Sequence, residues 1–164
     1  MSQHLPPPAF EQKIVTTDQL ESLHEQLPHP IVMTNGVFDI LHRGHVTYLA
    51  QARALGASLV VAVNSDASVR QLGKGPDRPI NPEAGRGAVL AALNSVSNVV
   101  IFKDKVPLEI VRKLRPDIYV KGGDYRIEDL PEAKIVHSYS GKVVTAAFEF
   151  DRSTTKLLRK VRES

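Results

Sequence analysis

Two histidines, His42 and His45, are the residues of this chain whose types and spacing are best suited to chemistry. They follow an apolar strand candidate at residues 30–33 and precede a helical pattern that starts at Val46. A strand, turn and helix start of this kind points backbone N–H groups and the positive helix end at one place, which suits a phosphate. Imidazoles with an ordinary pKa of about 6.5 can donate hydrogen bonds there, and a bound anion favours their charged form. The pattern therefore predicts phosphate handling without a covalent intermediate.

Glycines flank this histidine pair, and a metal site is the rival chemical interpretation. Gly44 removes a side chain where a ligand would approach, and Gly36 is predicted to permit a tight turn after the strand. Asp39 lies close enough in sequence to complete a metal site with the two histidines. A zinc site needs further ligands at defined spacing, and the other histidines show no such pattern. The alternative without any chemical role is a pair of surface or helix-capping histidines.

Residues 34–45, Thr-Asn-Gly-Val-Phe-Asp-Ile-Leu-His-Arg-Gly-His, resemble the signature of the HxGH nucleotidyltransferase superfamily. Within it, the chain is most similar to the D-glycero-β-D-manno-heptose 1-phosphate adenylyltransferases, which make ADP-heptose for lipopolysaccharide. Four further segments carry this resemblance, in the same order along the chain: Val63–Val69, Arg78–Pro82, Val120–Tyr125 and Ser153–Thr155. The family resemblance therefore extends over most of the sequence.

The resemblance implies transfer of AMP from ATP to heptose 1-phosphate, with release of pyrophosphate. The attacking sugar phosphate oxygen is already anionic, so positioning and charge neutralisation lower the barrier rather than a strong base. By resemblance, His42 and His45 are the catalytic residues and donate hydrogen bonds to the α- and β-phosphates. We expect Mg²⁺ to arrive bound to ATP, because this ion keeps most of its waters.

The resemblance also implies two sets of binding residues. The nucleotide set is Asn35, Gly36, Val37, Phe38, Gly44, Lys121, Asp124, Ser153, Thr154 and Thr155. The sugar-phosphate set is Asp39, Asn64, Asp66, Lys74 and Arg78. In these sets Asp124 is expected at the ribose hydroxyls, and the hydroxyls at residues 153–155 at the distal phosphates. Simpler roles stay open: Asp66 and Ser153 as helix caps, and Lys74 and Arg78 as solvated loop residues.

Apolar runs and helical patterns alternate along the chain, which predicts parallel βαβ units. We expect an α/β fold with a doubly wound, five-stranded parallel sheet, similar to the Rossmann-like nucleotidyltransferases. The five strands are expected at residues 30–33, 58–63, 99–102, 117–120 and 142–146. Helices are expected at 19–26, from 46 to Gly56, 67–72, 82–94, from 107, near 130–137 and at the C-terminus. Ligands of such sheets bind beyond the carboxyl ends of the strands, where the singled-out segments fall.

Bulk properties fit one domain at residues 13–164 after a flexible arm at 1–12, where Pro6–Pro8 stand. The 164 residues are 42% hydrophobic and carry a net charge of +3, which argues against nucleic acid as a partner. The sequence contains no cysteine, membrane-length apolar run or signal peptide, so we expect a cytoplasmic protein without a membrane partner. A homodimer or higher homo-oligomer is expected from the resemblance.

One departure from the family pattern lies in the predicted fourth helix, where the sequence reads Ala84-Gly-Arg-Gly87. Glycine inside a helix costs about 1 kcal/mol relative to alanine, so this helix start is expected to be looser. Two other functions stay open: a cytidylyltransferase acting on a polyol or sugar phosphate, and a non-catalytic nucleotide-binding module. The chain is too short for the sugar kinase domain of related bifunctional proteins, so we expect that kinase on a separate polypeptide.

Overall fold

The computed structural model describes residues 5–146 and 160–161, in which six parallel strands form one sheet. The spatial order of the strands is β1-β4-β3-β2-β5-β6. The strands are β1 (Ile14–Val15), β2 (Ile31–Gly36), β3 (Ser58–Asn64), β4 (Asn98–Phe102), β5 (Ile118–Gly122) and β6 (Lys142–Ala146). The helices are α1 (Leu20–Gln26), α2 (Arg43–Arg53), α3 (Asp66–Gln71), α4 (Glu83–Ala91), α5 (Leu108–Leu114) and α6 (Pro131–Ser138).

The parallel, doubly wound α/β fold is confirmed, and the strand count of five is corrected to six. The additional strand is β1, which pairs Ile14 with Val99 and Val15 with Val100 at the edge of the sheet. A strand of two residues is too short to show an alternating pattern, so the sequence carries no signal for it. In the stretch predicted as an arm, Ala9–Lys13 form a 3-10 helix, and Phe10 packs against the core.

The sheet is covered by helices on both faces, which gives a three-layer structure. On one face Ile31 and Met33 of β2 join α1, α5 and α6 in a hydrophobic cluster. On the other face Val32 packs with α2 and α4. Every residue of β3 is buried, as its continuous apolar sequence predicts for a strand covered on both faces.

The strand order reverses direction between β2 and β5. From β2 the chain builds outward through β3 to β4, and it then returns to add β5 and β6 on the other side. In sheets of this kind ligands bind in the crevice beyond the carboxyl ends of the strands at the point of reversal. The predicted site segments follow β2, β3 and β5, so the fold brings them to the same edge of the sheet.

The predicted starts of α1, α3 and α4 each differ from the observed ones by one residue. The segment before α1 is capped by Thr16, whose backbone N–H donates to Gln19 Oε1 at 2.9 Å. Ser65 caps α3 by accepting from the N–H of Ser68, so Asp66 is the first helical residue rather than the cap. Pro82 is the N-cap of α4, although the helix was predicted to begin at this residue. Periodicity places a helix but not its cap, which depends on local side-chain bonds.

The C-terminal helix was predicted to open with residues 152–155. Ser153, Thr154 and Thr155 lie outside the described residues, so their predicted roles stay predictions. Lys160 and Val161 are helical. Within the described ranges, none of the helices has the length and apolar character needed to cross a membrane.

Candidate active site

The histidine pair stands at the start of α2, directly after the turn that follows β2. His42 is the N-cap, with extended φ and ψ of −141° and 171°, and α2 begins at Arg43. The start of this helix was predicted at Val46, three residues too late, because residues 42–45 carry no apolar periodicity. Gly44 and His45 consequently lie in the first helical turn, next to the free N–H groups.

The two imidazoles stack on each other. Their ring centroids are 3.9 Å apart with an interplanar angle of 26°. Phe38 contacts His45 edge-on, at 5.4 Å between centroids. Nδ1 of His45 is buried and has no hydrogen-bond partner within residues 5–146. The structure thus brings together three residues that were predicted for one site.

Burial lowers the pKa of His45 to about 4, and the positive charges of His42 and Lys74 add to this effect. His45 is therefore neutral at neutral pH in the nucleotide-free protein. A phosphate placed against the ring would act in the opposite direction, because an opposite charge favours the protonated form. A bound anion would therefore favour uptake of a proton by His45.

The turn after β2 differs from its prediction. Gly36 is the last residue of β2, and the left-handed conformation belongs to Phe38, whose φ is +49°. A Cβ at Gly36 would lie 2.9 Å from Cε2 of Phe38. A side chain at position 36 would therefore displace the Phe38 ring, so glycine leaves room for that ring rather than making the turn.

Asp39 and Arg78, both predicted to bind the sugar phosphate, are buried and paired with each other. Arg78 Nε donates to Asp39 Oδ2 at 2.5 Å. The backbone N–H groups of Ile80 and Asn81 donate to the same carboxylate at 2.9 Å. Burial alone would raise the pKa of Asp39, but these N–H groups and Arg78 together hold it below its usual value. Here the two residues fasten the loop before α4 to the turn after β2.

Arg86 of α4 is a residue whose role the sequence did not reveal. It is 2% exposed, and it donates to three separate segments. Its partners are the carbonyl of Val37 at 2.7 Å, the carbonyl of Asn81 at 3.0 Å and Oδ1 of Asp66 at 2.7 Å. An isolated arginine between two glycines gives no signal of such long-range bonds. Arg86 therefore joins the turn after β2, the loop before α4 and the start of α3.

The remaining predicted sugar-phosphate ligands are placed differently from one another. Asn64, at the end of β3, is buried and its Nδ2 donates to Ser68 Oγ at 2.9 Å. The surface of Lys74 is exposed to solvent. Desolvation by neighbouring atoms and the charge of Arg78 nevertheless lower the pKa of Lys74, which shows that it lies close to the site. Asp66 keeps partial exposure while it is paired with Arg86. Asn64 and Asp66 thus make hydrogen bonds within the protein, whereas Lys74 lies at the mouth of the site.

At the point of strand reversal, Lys121 reaches Asn35. Lys121 belongs to β5 rather than to a loop, and its Nζ donates to Asn35 Oδ1 at 3.1 Å. The same oxygen accepts from the hydroxyl of Tyr119 at 2.6 Å. Asp124 is exposed beyond the strand, after Gly123 with φ of +114°. Asn35 and Lys121, both predicted for the nucleotide, are therefore brought into direct contact.

Two carboxylates beside this cleft already have partners within the protein. Asp39 and Asp66 are both engaged by arginines. Among the residues that the structure describes, no group of three or more His, Asp or Glu side chains could hold a metal ion.

The order of the sheet, the reversal point between β2 and β5 and the histidine pair at a helix start define a nucleotide-binding α/β protein of the phosphate-handling kind. The chain belongs to the cytidylyltransferase-like family, whose profile matches residues 33–160.

Comparison with individual proteins shows which members of this family the chain is similar to. The chain is 55% identical, over 94% of its length and 96% of the relative, to the D-beta-D-heptose 1-phosphate adenylyltransferase of Bordetella bronchiseptica. It is 52% identical over 82% of its length to the bifunctional protein HldE of Cronobacter sakazakii, of which it spans 28%. The superfamily assignment and the similarity to heptose 1-phosphate adenylyltransferases, both predicted from motifs, are confirmed.

Solved structures agree with the fold. A lipopolysaccharide core biosynthesis protein from Thermoplasma volcanium matches with a TM-score of 0.63 and 32% identity, over 73% of this chain and 98% of that one. A pantoate-beta-alanine ligase from Francisella tularensis matches with a TM-score of 0.59 at 13% identity, over 87% of this chain and 68% of that one. The second match shows the shared fold alone.

Proposed function

We propose that this protein transfers AMP from ATP to D-glycero-β-D-manno-heptose 1-phosphate, giving ADP-heptose and pyrophosphate for lipopolysaccharide core biosynthesis. The observation that carries the proposal is the 55% identity to a heptose 1-phosphate adenylyltransferase along almost the whole of both chains. The stacked histidine pair at the start of α2 supports it, because this reaction needs donors beside the phosphates.

In this proposal the two histidines neutralise the charge that grows on the triphosphate. His45 is neutral before ATP binds and takes up a proton as the phosphates approach its ring. His42, as the N-cap, stands at the end of α2 where the first N–H groups of the helix are free. The sugar phosphate oxygen then attacks the α-phosphorus in line, and pyrophosphate leaves. Mg²⁺, carried in by ATP, would supply further charge neutralisation when bound.

The positive charges around the cleft are suited to two anionic substrates. Lys121 lies at the reversal point of the sheet, and Lys74 stands near the histidines on the loop after α3. We assign Lys121 to the nucleotide and Lys74 to the sugar phosphate. The exposed Asp124 is assigned to the ribose hydroxyls, because a carboxylate can accept hydrogen bonds from them.

A cytidylyltransferase acting on a polyol or sugar phosphate is the second candidate, favoured by the description of the matching family. A pyrophosphate-release assay with ATP and CTP, each tested against heptose 1-phosphate and glycerol 3-phosphate, separates the two. Preference for ATP with heptose 1-phosphate is expected. Equal or better turnover with CTP would overturn the adenylyl assignment, and no turnover with any pair would favour a non-catalytic nucleotide-binding module.

Two further features of the proposal concern the surroundings of the enzyme. We place the reaction in the cytoplasm, where ATP and sugar phosphates are available, and expect a homodimer or higher homo-oligomer. Light scattering coupled to size-exclusion chromatography measures the oligomeric state directly.

A further inference from the structure

Glu132, on the first turn of α6, is a buried acid that the proposed reaction does not use. It is 1% exposed. Its Oε1 lies 3.5 Å from Lys121 Nζ and 3.0 Å from the hydroxyl of Tyr119. Its Oε2 is buried and has no hydrogen-bond partner among the described residues. A carboxylate buried with one oxygen unsatisfied is costly, so its presence calls for a physical reason.

Stability is a weak reason for this acid. A buried ion pair recovers little of the free energy lost on desolvation, and replacing it with apolar groups of similar size is often neutral or stabilising. The distance of 3.5 Å to the ammonium is also longer than that of a close charged hydrogen bond. The contacts of Glu132 therefore direct attention to what Lys121 and Tyr119 do.

Lys121 and Tyr119 both reach the side-chain oxygen of Asn35, at 3.1 Å and 2.6 Å. An ammonium has donors and no acceptor, so it can face only the oxygen of this amide. The lysine thereby fixes which way the amide of Asn35 is turned. The Nδ2 donors occupy the other side of the planar group and are left for a ligand. Asn35 stands near the end of β2, at the point of strand reversal where ligands bind in such sheets.

We propose that Glu132 is a positioning residue for the nucleotide, which holds Lys121 so that the amide of Asn35 presents its N–H donors to a phosphate oxygen. Without the acid, the ammonium loses its anionic partner and is free to leave Asn35. Burial and the neighbouring Glu132 charge raise the pKa of Tyr119, so its hydroxyl stays protonated, and its single proton is donated to Asn35 or to Glu132. This inference rests on the proposed function only in assuming that a nucleotide binds at the reversal point.

A double-mutant cycle on ATP affinity tests the inference, using Glu132→Leu, Asn35→Ala and the combined variant in titration calorimetry without an acceptor. Each single change is expected to weaken ATP binding about ten-fold, the loss of one hydrogen bond to a charged group. The combined variant is expected to be no weaker than Asn35→Ala, because Glu132 acts through that amide. Fully independent effects, about a hundred-fold in the combined variant, would overturn the inference.

Conservative and matched variants keep the test decisive. Glu132→Gln retains an oxygen that can face Lys121 and Tyr119, so it should restore ATP affinity to within about three-fold of wild type. Glu128→Leu is the control, because that acid is exposed on the 3-10 helix Ile127–Asp129 and pairs with Arg126 at the surface. If Glu132→Leu does not fold, Glu132→Met, whose unbranched side chain is closer to that of glutamate in shape, replaces it in the cycle with the same expected result.

Failure of this inference can be separated from failure of the proposed function. If the wild-type protein binds CTP in place of ATP, the adenylyl assignment fails and the same cycle is carried out with CTP. A lower melting temperature of Glu132→Leu with an unchanged nucleotide affinity would show a structural role and overturn the inference. Absence of binding of both nucleotides to the wild-type protein would overturn both proposals.

Discussion

Replacing Arg86 with alanine should destabilise the protein severely, because this buried guanidinium bonds three segments at once. It donates to the carbonyls of Val37 and Asn81 and to the carboxylate of Asp66. Each of these hydrogen bonds is donated by the charged guanidinium, and a bond of that kind contributes about 1.5–3 kcal/mol. The three bonds together, each taken at its lower value, give about 4.5 kcal/mol, and the lost packing of the side chain adds to this.

Solvent lowers that figure, because the Asp66 side chain is 25% exposed and water can replace part of its pairing. We therefore expect a loss of about 3 kcal/mol in the free energy of unfolding, within the range for breaking a buried ion pair. For a chain of 164 residues, 1 kcal/mol corresponds to about 2–4 °C, so the melting temperature should fall by about 6–12 °C.

The assay is urea unfolding of Arg86→Ala and Arg86→Lys, with Arg126→Ala as control. Arg126 makes an ion pair whose partners are more than 70% exposed, so its removal should change the stability by less than about 1 kcal/mol. Lysine keeps the charge but cannot reach three acceptors, so Arg86→Lys should recover only part of the loss. A stability of Arg86→Ala within about 0.5 kcal/mol of wild type would refute the assigned role.

Three further predictions concern the nucleotide. His42→Ala or His45→Ala should lower kcat about 10²–10³-fold, the usual effect of losing one donor to the transition state, and near wild-type turnover of both would contradict their catalytic role. ATP binding at pH 6–7 should be accompanied by proton uptake, because the pKa of His45 is about 4 before the phosphates raise it. Calorimetry in two buffers of different ionisation enthalpy measures this uptake, and identical heats of binding in the two buffers would contradict it. The double replacement of Thr154 and Thr155 by alanine should weaken ATP binding ten-fold or more while leaving AMP binding unchanged, whereas an equal loss for both nucleotides would exclude a distal-phosphate site.

The fold was largely predictable, because its central strands are continuous apolar runs separated by helical patterns. β3 illustrates this, since all of its residues are buried and its predicted range lies within one residue of the observed one. β1 was not predictable, because two residues at an edge show no period. The observed start of α2 also differs from the predicted one, since residues 42–45 carry no apolar periodicity.

For the site, the motif located the histidines but not the bonds that surround them. The pairing of Asp39 with Arg78 spans 39 residues and that of Asp66 with Arg86 spans 20, so neither follows from local spacing. The sequence assigned three of these four residues to the sugar phosphate, while the structure shows each of them bonded to another part of the protein. Charge in a sequence indicates an electrostatic role, but the partner depends on the tertiary structure.

The bonds of Asp39 have a consequence for how the loop before α4 can vary. They fix the chain at residues 78–81, whereas Gly73 and Gly75 adopt left-handed conformations with open space around them. The C-terminal end of the loop at residues 73–77 is therefore fixed, and the length and composition of this loop can vary without moving the histidines. Grafting this segment between relatives that use different acceptors, followed by the pyrophosphate-release assay, would show whether acceptor choice travels with the loop.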